Sequence, residues 1–328
     1  MVATHAPIEI GLNAVIVSVE KSTPYVLTIP HAEYDGYEGL PFGHFDPLEH
    51  RTFEVGLRAF VEQQTALRLG HVEQLYTFGD RGRHMTLQEG ESHMVSVGYL
   101  ALTRQTPESK EMLSAQGARW RPWYDFFPWE DWRSGAPKIL EEQVYPLLEA
   151  YCADPQADHD DPSTVTRRQL QYSLAFGENP SSWDEERVLE RYELMYGAGI
   201  IKEALHDFRP SAVTRSTLPD FGEPLIFDHR RILATAVSRL RGKLKYRPVV
   251  FELMPPEFTL TDLQRTVEAI SGHHLHKQNF RRLVDAAKLV EPNGRTSTTT
   301  GGRPAAMYRF RREILKERPS MGLRVTRS

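Results

Sequence analysis

The 328-residue sequence predicts a mixed α/β body, interrupted by a helical insertion and followed by a small unit of two helices and a β-ribbon. Three observations predict it. β-branched runs flank a helical pattern in the first hundred residues. The texture changes to helical segments and loops between about residues 128 and 222. The last eighty residues repeat short apolar stripes separated by turn residues.

Taken in order, Asn13–Val19 and Pro24–Pro30 read as a β-hairpin turning at Lys21-Ser22-Thr23. A Gly/Pro-rich loop spans Asp35–Gly43. Phe53, Leu57, Phe60, Val61 and Leu67 recur at helical spacing, and Val72–Phe78 and Met94–Leu102 read as strands. The order strand, strand, helix, strand, strand excludes a regular βαβ winding. In the insertion, Ile139–Leu148 is helical in pattern, interrupted by Pro146, and Val188–Leu205 reads as one longer helix. Between them, Ala153–Pro162 is an acidic loop. Its His159, set among Asp158, Asp160 and Asp161, repeats no ligand spacing and reads as solvated. Phe227–Leu244 is the clearest helix, with Asp228 as N-cap, one apolar stripe from Ile232 to Leu244, and basic residues in its last turns.

Composition bounds the function. With 40% hydrophobic and 26% charged residues the chain can bury real cores, and it has no apolar run of spanning length. The N-terminus lacks the build of a signal peptide, so the cytoplasm is the default location and no membrane partner is expected. A single cysteine, Cys152, excludes an internal disulfide and any multi-cysteine metal site. The net charge of −4 hides an asymmetry: from Ile226 onward 21 Lys and Arg stand against 9 Asp and Glu. An acidic body joined to a basic end points to a polyanion for the latter.

The C-terminal unit carries the sharpest pattern. Thr259–Gly272 reads as a helix with Leu260, Leu263, Val267 and Ile270 inward and Gly272 as its stop. After a short turn with His273, His274 and His276, a second helix, Gln278–Leu289, buries Phe280, Leu283, Val284 and Ala287. Its outward face presents Gln278, Arg281, Arg282, Asp285 and Lys288, and Gln278, Asn279, Arg281 and Arg282 are the candidates to contact base edges when a second helix enters a major groove. Leu289–Glu291 and Ala306–Phe310 are predicted strands of a wing. Its Gly- and hydroxyl-rich tip, Pro292–Pro304, carries Arg303 for a phosphate or minor-groove contact. The three turn histidines lack a fourth ligand for zinc.

Phe227-Asp-His-Arg-Arg-Ile-Leu, Phe258-Thr-Leu-Thr-Asp-Leu-Gln, Asn279-Phe-Arg-Arg and Gly302-Arg-Pro-Ala-Ala-Met-Tyr-Arg-Phe resemble the Nudix-related (NrtR-like) transcriptional regulators of NAD biosynthesis. With its long insertion, the chain is most similar to their NadQ-type branch. The resemblance implies a Nudix-like α/β/α sandwich with a helical insertion at about 129–222, ending near residue 247. A winged helix-turn-helix domain would follow over 248–328. It further implies a repressor of NAD-biosynthesis genes that binds a pseudo-palindromic duplex as a homodimer. The implied effector is an adenine nucleotide, ATP first, with NAD as an option.

Leu40-Pro-Phe-Gly-His-Phe, Glu49 and Arg58–Leu67 stand where a Nudix box would be. A working box needs several carboxylates on one helix face to hold divalent cations against a pyrophosphate. Here the Glu-Glu pair becomes Gln63-Gln64, Ala59 follows Arg58, and only Glu49 and Glu62 remain. Uncharged amides cannot offset a divalent cation, so no catalytic residue, metal or required cofactor is expected. An active Nudix pyrophosphatase with an accessory nucleic-acid module is the alternative. For the effector, Arg81 and Arg83 in a glycine-bearing loop can meet phosphates as guanidinium forks. The aromatic run Trp120–Trp129 offers either a base-stacking surface or core at a domain junction.

Overall fold

A computed structural model describes residues 7–31, 36–80, 83, 93–154, 163–177, 182–213, 215, 217, 219–246, 249–297 and 304–311. Arg81, Arg303 and the acidic loop around His159 lie outside the described residues.

The body is a seven-stranded sheet. Strands β1 (Ile8–Glu20) and β2 (Thr23–Pro30) form the predicted hairpin, with Lys21 and Ser22 both at positive φ in its two-residue turn. The loop expected over 35–43 contains two short strands, β3 (Glu38–Gly39) and β4 (Phe42–His44), which pair with β2 and β1. Helix α1 (Phe53–Thr65) stops two residues short of Leu67, at Ala66 in the left-handed region. Strands β5 (Val72–Phe78) and β6 (His93–Leu102) are where the sequence puts them. Helix α2 (Pro107–Ala115) and strand β7 (Arg119–Pro122), absent from the expected order, complete the sheet. Their runs are too short for periodicity to register. The sheet order is β3-β2-β1-β6-β5, with β7 beside β2; among the described strand pairs β1–β6 is parallel and the others are antiparallel.

The period of β1 sorts its residues between two cores. Leu12, Ala14 and Ile16 pack with Leu57 and Val61 of α1, whereas Val15 and Val17 join the opposite cluster. That second face is covered by α8 (His229–Tyr246), whose Ile232 Cγ2 would lie 2.9 Å from a Cβ at Gly98. The result is the expected helix–sheet–helix sandwich.

The insertion is a helical layer. A single π-turn, Leu140–Val144, leads into α3 (Tyr145–Ala153) and absorbs Pro146, which has no N–H to donate. Helices α4 (Ser163–Phe176), α5 (Val188–Gly197), α6 (Lys202–His206) and α7 (Pro210–Val213) follow. The single helix expected over 188–205 is thus two, because Gly199 adopts φ +65 and turns the chain. The Trp120–Trp129 run resolves as core: Trp123, Phe126, Phe127 and Trp129 are buried in one cluster with the insertion and α8.

The C-terminal unit comprises β8 (Phe258–Thr259), α9 (Leu260–Ser271), α10 (Lys277–Ala287), β9 (Val290–Ser297) and β10 (Ala305–Phe310), with sheet order β8-β10-β9. Strand β9 extends further than Leu289–Glu291, consuming part of the expected tip, with a register shift opposite Ala306 and Tyr308. The apolar core runs on from the sandwich into α9 and α10 without a break.

Candidate nucleic-acid interface

Helix α9 is fixed at both ends. Thr259 and Asp262 form a reciprocal capping box, and Gly272 closes the helix at φ +76. Glu268 then receives the Leu275 N–H at 2.9 Å and faces His274 Nδ1 at 3.3 Å, which shapes the turn into α10. Helix α10 buries Phe280 and Val284 and turns the opposite face to solvent.

That face holds the sequence-predicted residues together. Gln278, Arg281 and Arg282 are exposed, Asn279 is half-buried, and Arg282 donates to Asn279 Oδ1 at 2.8 Å. His276, Gln278, Asn279 and Arg282 line an open hollow of about 300 Å³. The helix starts at Lys277, and its N-cap His276, which also lines the hollow, gives no side-chain cap, so the first N–H groups have no side-chain acceptor there. Among the described residues Arg281 contacts no carboxylate. On the wing, Arg295 pairs with Glu257 and Arg309 with Glu291, each at the surface. Arg303, the residue expected at the wing tip, lies outside the described residues.

The body arginines behave differently. Arg83 is only 11% exposed; it makes a bidentate pair with Glu193 (2.5 and 3.2 Å), approaches Asp228 at 3.5 Å and stacks 4.0 Å over Tyr196. Arg231, on α8, joins the same cluster through Asp228, Glu193 and Asp80. Burial pushes the Asp228 carboxyl up, and the two guanidiniums act against that rise. Asp228, expected as a plain N-cap, therefore serves as a buried counter-ion. Arg83 already holds carboxylates, so a phosphate would have to displace Glu193 to reach it. No sequence signal marked Glu193 or Arg231 for this cluster, since the contact spans 110 residues. On the next turn of chain, Asp207 accepts from Tyr196 Oη at 2.8 Å, and burial raises its carboxyl to about 6.

The box helix is held by its substitutions. The Gln64 amide accepts from Phe42 N at 3.1 Å and donates to Phe42 O at 2.7 Å. A carboxylate there could accept but not donate. Gly43 is required by packing, because a Cβ would fall 2.5 Å from the Phe60 ring. Gln63 and Glu49 are exposed, and Glu54 and Glu62 pair with Arg58 and Arg68.

Comparison with known proteins adds the following. Residues 250–310 match the NrtR DNA-binding winged helix domain. Eighty-six residues are 45% identical to the ADPR responsive transcriptional repressor NtrR of Acinetobacter baylyi, 26% of this chain and 34% of that protein. The match thus spans about a third of the curated relative. Among solved structures, Shewanella oneidensis NrtR complexed with a 27mer DNA superimposes with a TM-score of 0.55 at 19% identity, covering 96% of this chain and 98% of that one. A MutT/nudix family protein from Enterococcus faecalis gives a TM-score of 0.50 at 14% identity, over 95% and 89%. This chain therefore has the fold of the Nudix-related NrtR regulators, a Nudix-like sandwich that ends in an NrtR-type winged helix domain.

Proposed function

We propose that the chain is a DNA-binding transcriptional repressor, controlled by a nucleotide bound in a non-catalytic Nudix-like body. The observation that carries this reading is the exposed face of α10, where Gln278, Arg281 and Arg282 surround an uncapped helix start. Such a face suits bidentate contacts to base edges, with backbone N–H groups on a neighbouring phosphate. The matched winged helix domain and the repressor relative support the same assignment. We further propose that the regulated genes are those of NAD biosynthesis and that the protein acts as a homodimer on a pseudo-palindrome.

For the effector, the relative's responsiveness to ADP-ribose supports an adenine nucleotide, with ATP and NAD as the sequence-based candidates. Arg81 and Arg83 remain the proposed phosphate contacts, Arg83 by exchange of Glu193 for the ligand. The uncharged Gln63 and Gln64 support binding without hydrolysis. The test has two arms on the full chain. Duplexes selected from a random pool should bind far more tightly than unselected duplex, and ADP-ribose, ATP, ADP or NAD should raise the melting temperature and alter that affinity. Turnover of ADP-ribose that requires magnesium or manganese and vanishes in Glu49→Gln would overturn the non-catalytic assignment.

A further inference from the structure

A buried charge cluster joins the insertion, α8 and the winged helix around one carboxylate. Glu130 is 1% exposed and receives two guanidiniums that are themselves fully buried. Arg191 of α5 approaches at 2.6 and 3.0 Å, and Arg241 of α8 at 2.6 Å. Burial pushes the Glu130 carboxyl up, but the two arginines outweigh it and hold it below its ordinary value. Two cations on one anion leave a surplus positive charge, and backbone carbonyls receive it. Arg191 donates to Ala175 O and Asp184 O in the insertion. Arg241 donates to Glu185 O and, at 2.9 Å, to Ile270 O in the last turn of α9, the negative end of that helix's dipole.

The same spot is tied down twice more. Tyr124 Oη donates to Ala269 O at 2.8 Å, and Trp132 N donates to Gly272 O at 2.8 Å. Gly272 sits so close that a Cβ would lie 2.5 Å from Glu130 O. A side-chain stack then runs from the insertion to the helix–helix turn. Arg191 lies 3.8 Å over Trp183, Trp183 is 4.5 Å from Trp132, and Trp132 is 5.8 Å from His273, four residues before α10 begins at Lys277.

We infer that Glu130 is the positioning residue for the DNA-reading helix, and that the insertion exists in this chain to hold it, through Arg191, Trp183 and Trp132. All the ties converge on the carboxyl end of α9, one turn of chain from α10. A dimeric reader must present two such helices at a fixed separation, one helical turn of duplex apart or a multiple of it. Rigidity at this joint sets which half-site spacings are accepted. The consequence for DNA rests on the proposed function; the positioning itself does not.

Two measurements on the full chain test it. Spin labels at L48C and D285C, on exposed sites of the body and α10, report the distance between them, while the buried Cys152 stays unlabelled. Wild type should give one narrow distance distribution, and Glu130→Gln a broad or two-peaked one. Tyr124→Phe removes a single hydroxyl and should broaden it less; it decides the matter should Glu130→Gln fail to fold. A merely structural cluster would lower the melting temperature and leave the distribution unchanged, and that result overturns the inference. On a selected duplex, one base pair inserted between half-sites should weaken wild type by about tenfold or more, and the Tyr124→Phe or Glu130→Gln protein by only about twofold. Unaltered spacing discrimination in variants with normal binding overturns the link to DNA. A wild type that binds no duplex sinks the proposed function, while the distance measurement still judges the joint.

Discussion

Two pairs of arginines look alike in the sequence and differ in the fold. Arg81 and Arg83, in a glycine-bearing loop, read as phosphate contacts, and Arg281 and Arg282, on a helix, as contacts to base edges, so both pairs are expected to meet a nucleotide. Of the first pair, Arg83 is enclosed and paired with Glu193 and Asp228 beside the equally enclosed Arg231. The second pair stands in solvent, with Asn279 as Arg282's partner. A guanidinium whose charge is met inside the protein holds elements together; one left outside is available to a polyanion. The surroundings, and not the residue type, decide which.

Removing a buried partner should have the largest effect. Arg83→Ala leaves Glu193 and Asp228 facing each other with Arg231 alone, and should cost roughly 3 kcal/mol of stability, the low end for a broken buried pair. Urea titration checks this. A loss under about 0.5 kcal/mol would mean that water or Arg231 meets those carboxylates, and the contrast between the two pairs would collapse.

The exposed pair should show the reverse. Arg281→Ala or Arg282→Ala should weaken binding to a selected duplex by about 5-fold to 150-fold, because a bidentate base contact is worth roughly 1–3 kcal/mol. Melting temperatures should hardly move. Fluorescence anisotropy against selected and random duplex separates base reading from phosphate contact. Equal losses on both would move these arginines to the backbone.

The smallest effect sharpens the picture at the edge of the body cluster. The Asp207 carboxyl is raised from 3.8 to about 6 by burial, so its folded pKa exceeds its unfolded one. Stability from this group is therefore greatest at low pH and declines as pH rises from about 4 to about 6. Asp207→Asn, which keeps an acceptor for Tyr196, removes that decline. The melting-temperature gap between variant and wild type should widen across that window and stay constant above it. A gap independent of pH would show that Asp207 is solvated.

Several elements were legible because their causes are local. The alternation in β1, the stop at Gly272 and the apolar stripe of α10 each depend on residues within about four positions. That is why Gln278, Arg281 and Arg282 are legible as one exposed face from the spacing alone. The long helix over 188–205 failed for a related reason. Its periodicity continues through Ala198-Gly199-Ile200, and only the positive φ of Gly199 shows the break.

The rest was decided by tertiary structure. By sequence alone the chain is an α/β body with a helical insertion, followed by a basic helix–turn–helix and wing. Repeating spacing and turn residues act on neighbours and survive without the rest of the molecule. Which arginines are buried is settled by partners far away in the chain: Glu193 lies 110 residues from Arg83, and Arg191 and Arg241 lie 61 and 111 from Glu130. A charge leaves water only where folding brings a counter-charge and carbonyls to meet it. That pairing is a property of the assembled core, and no local pattern encodes it.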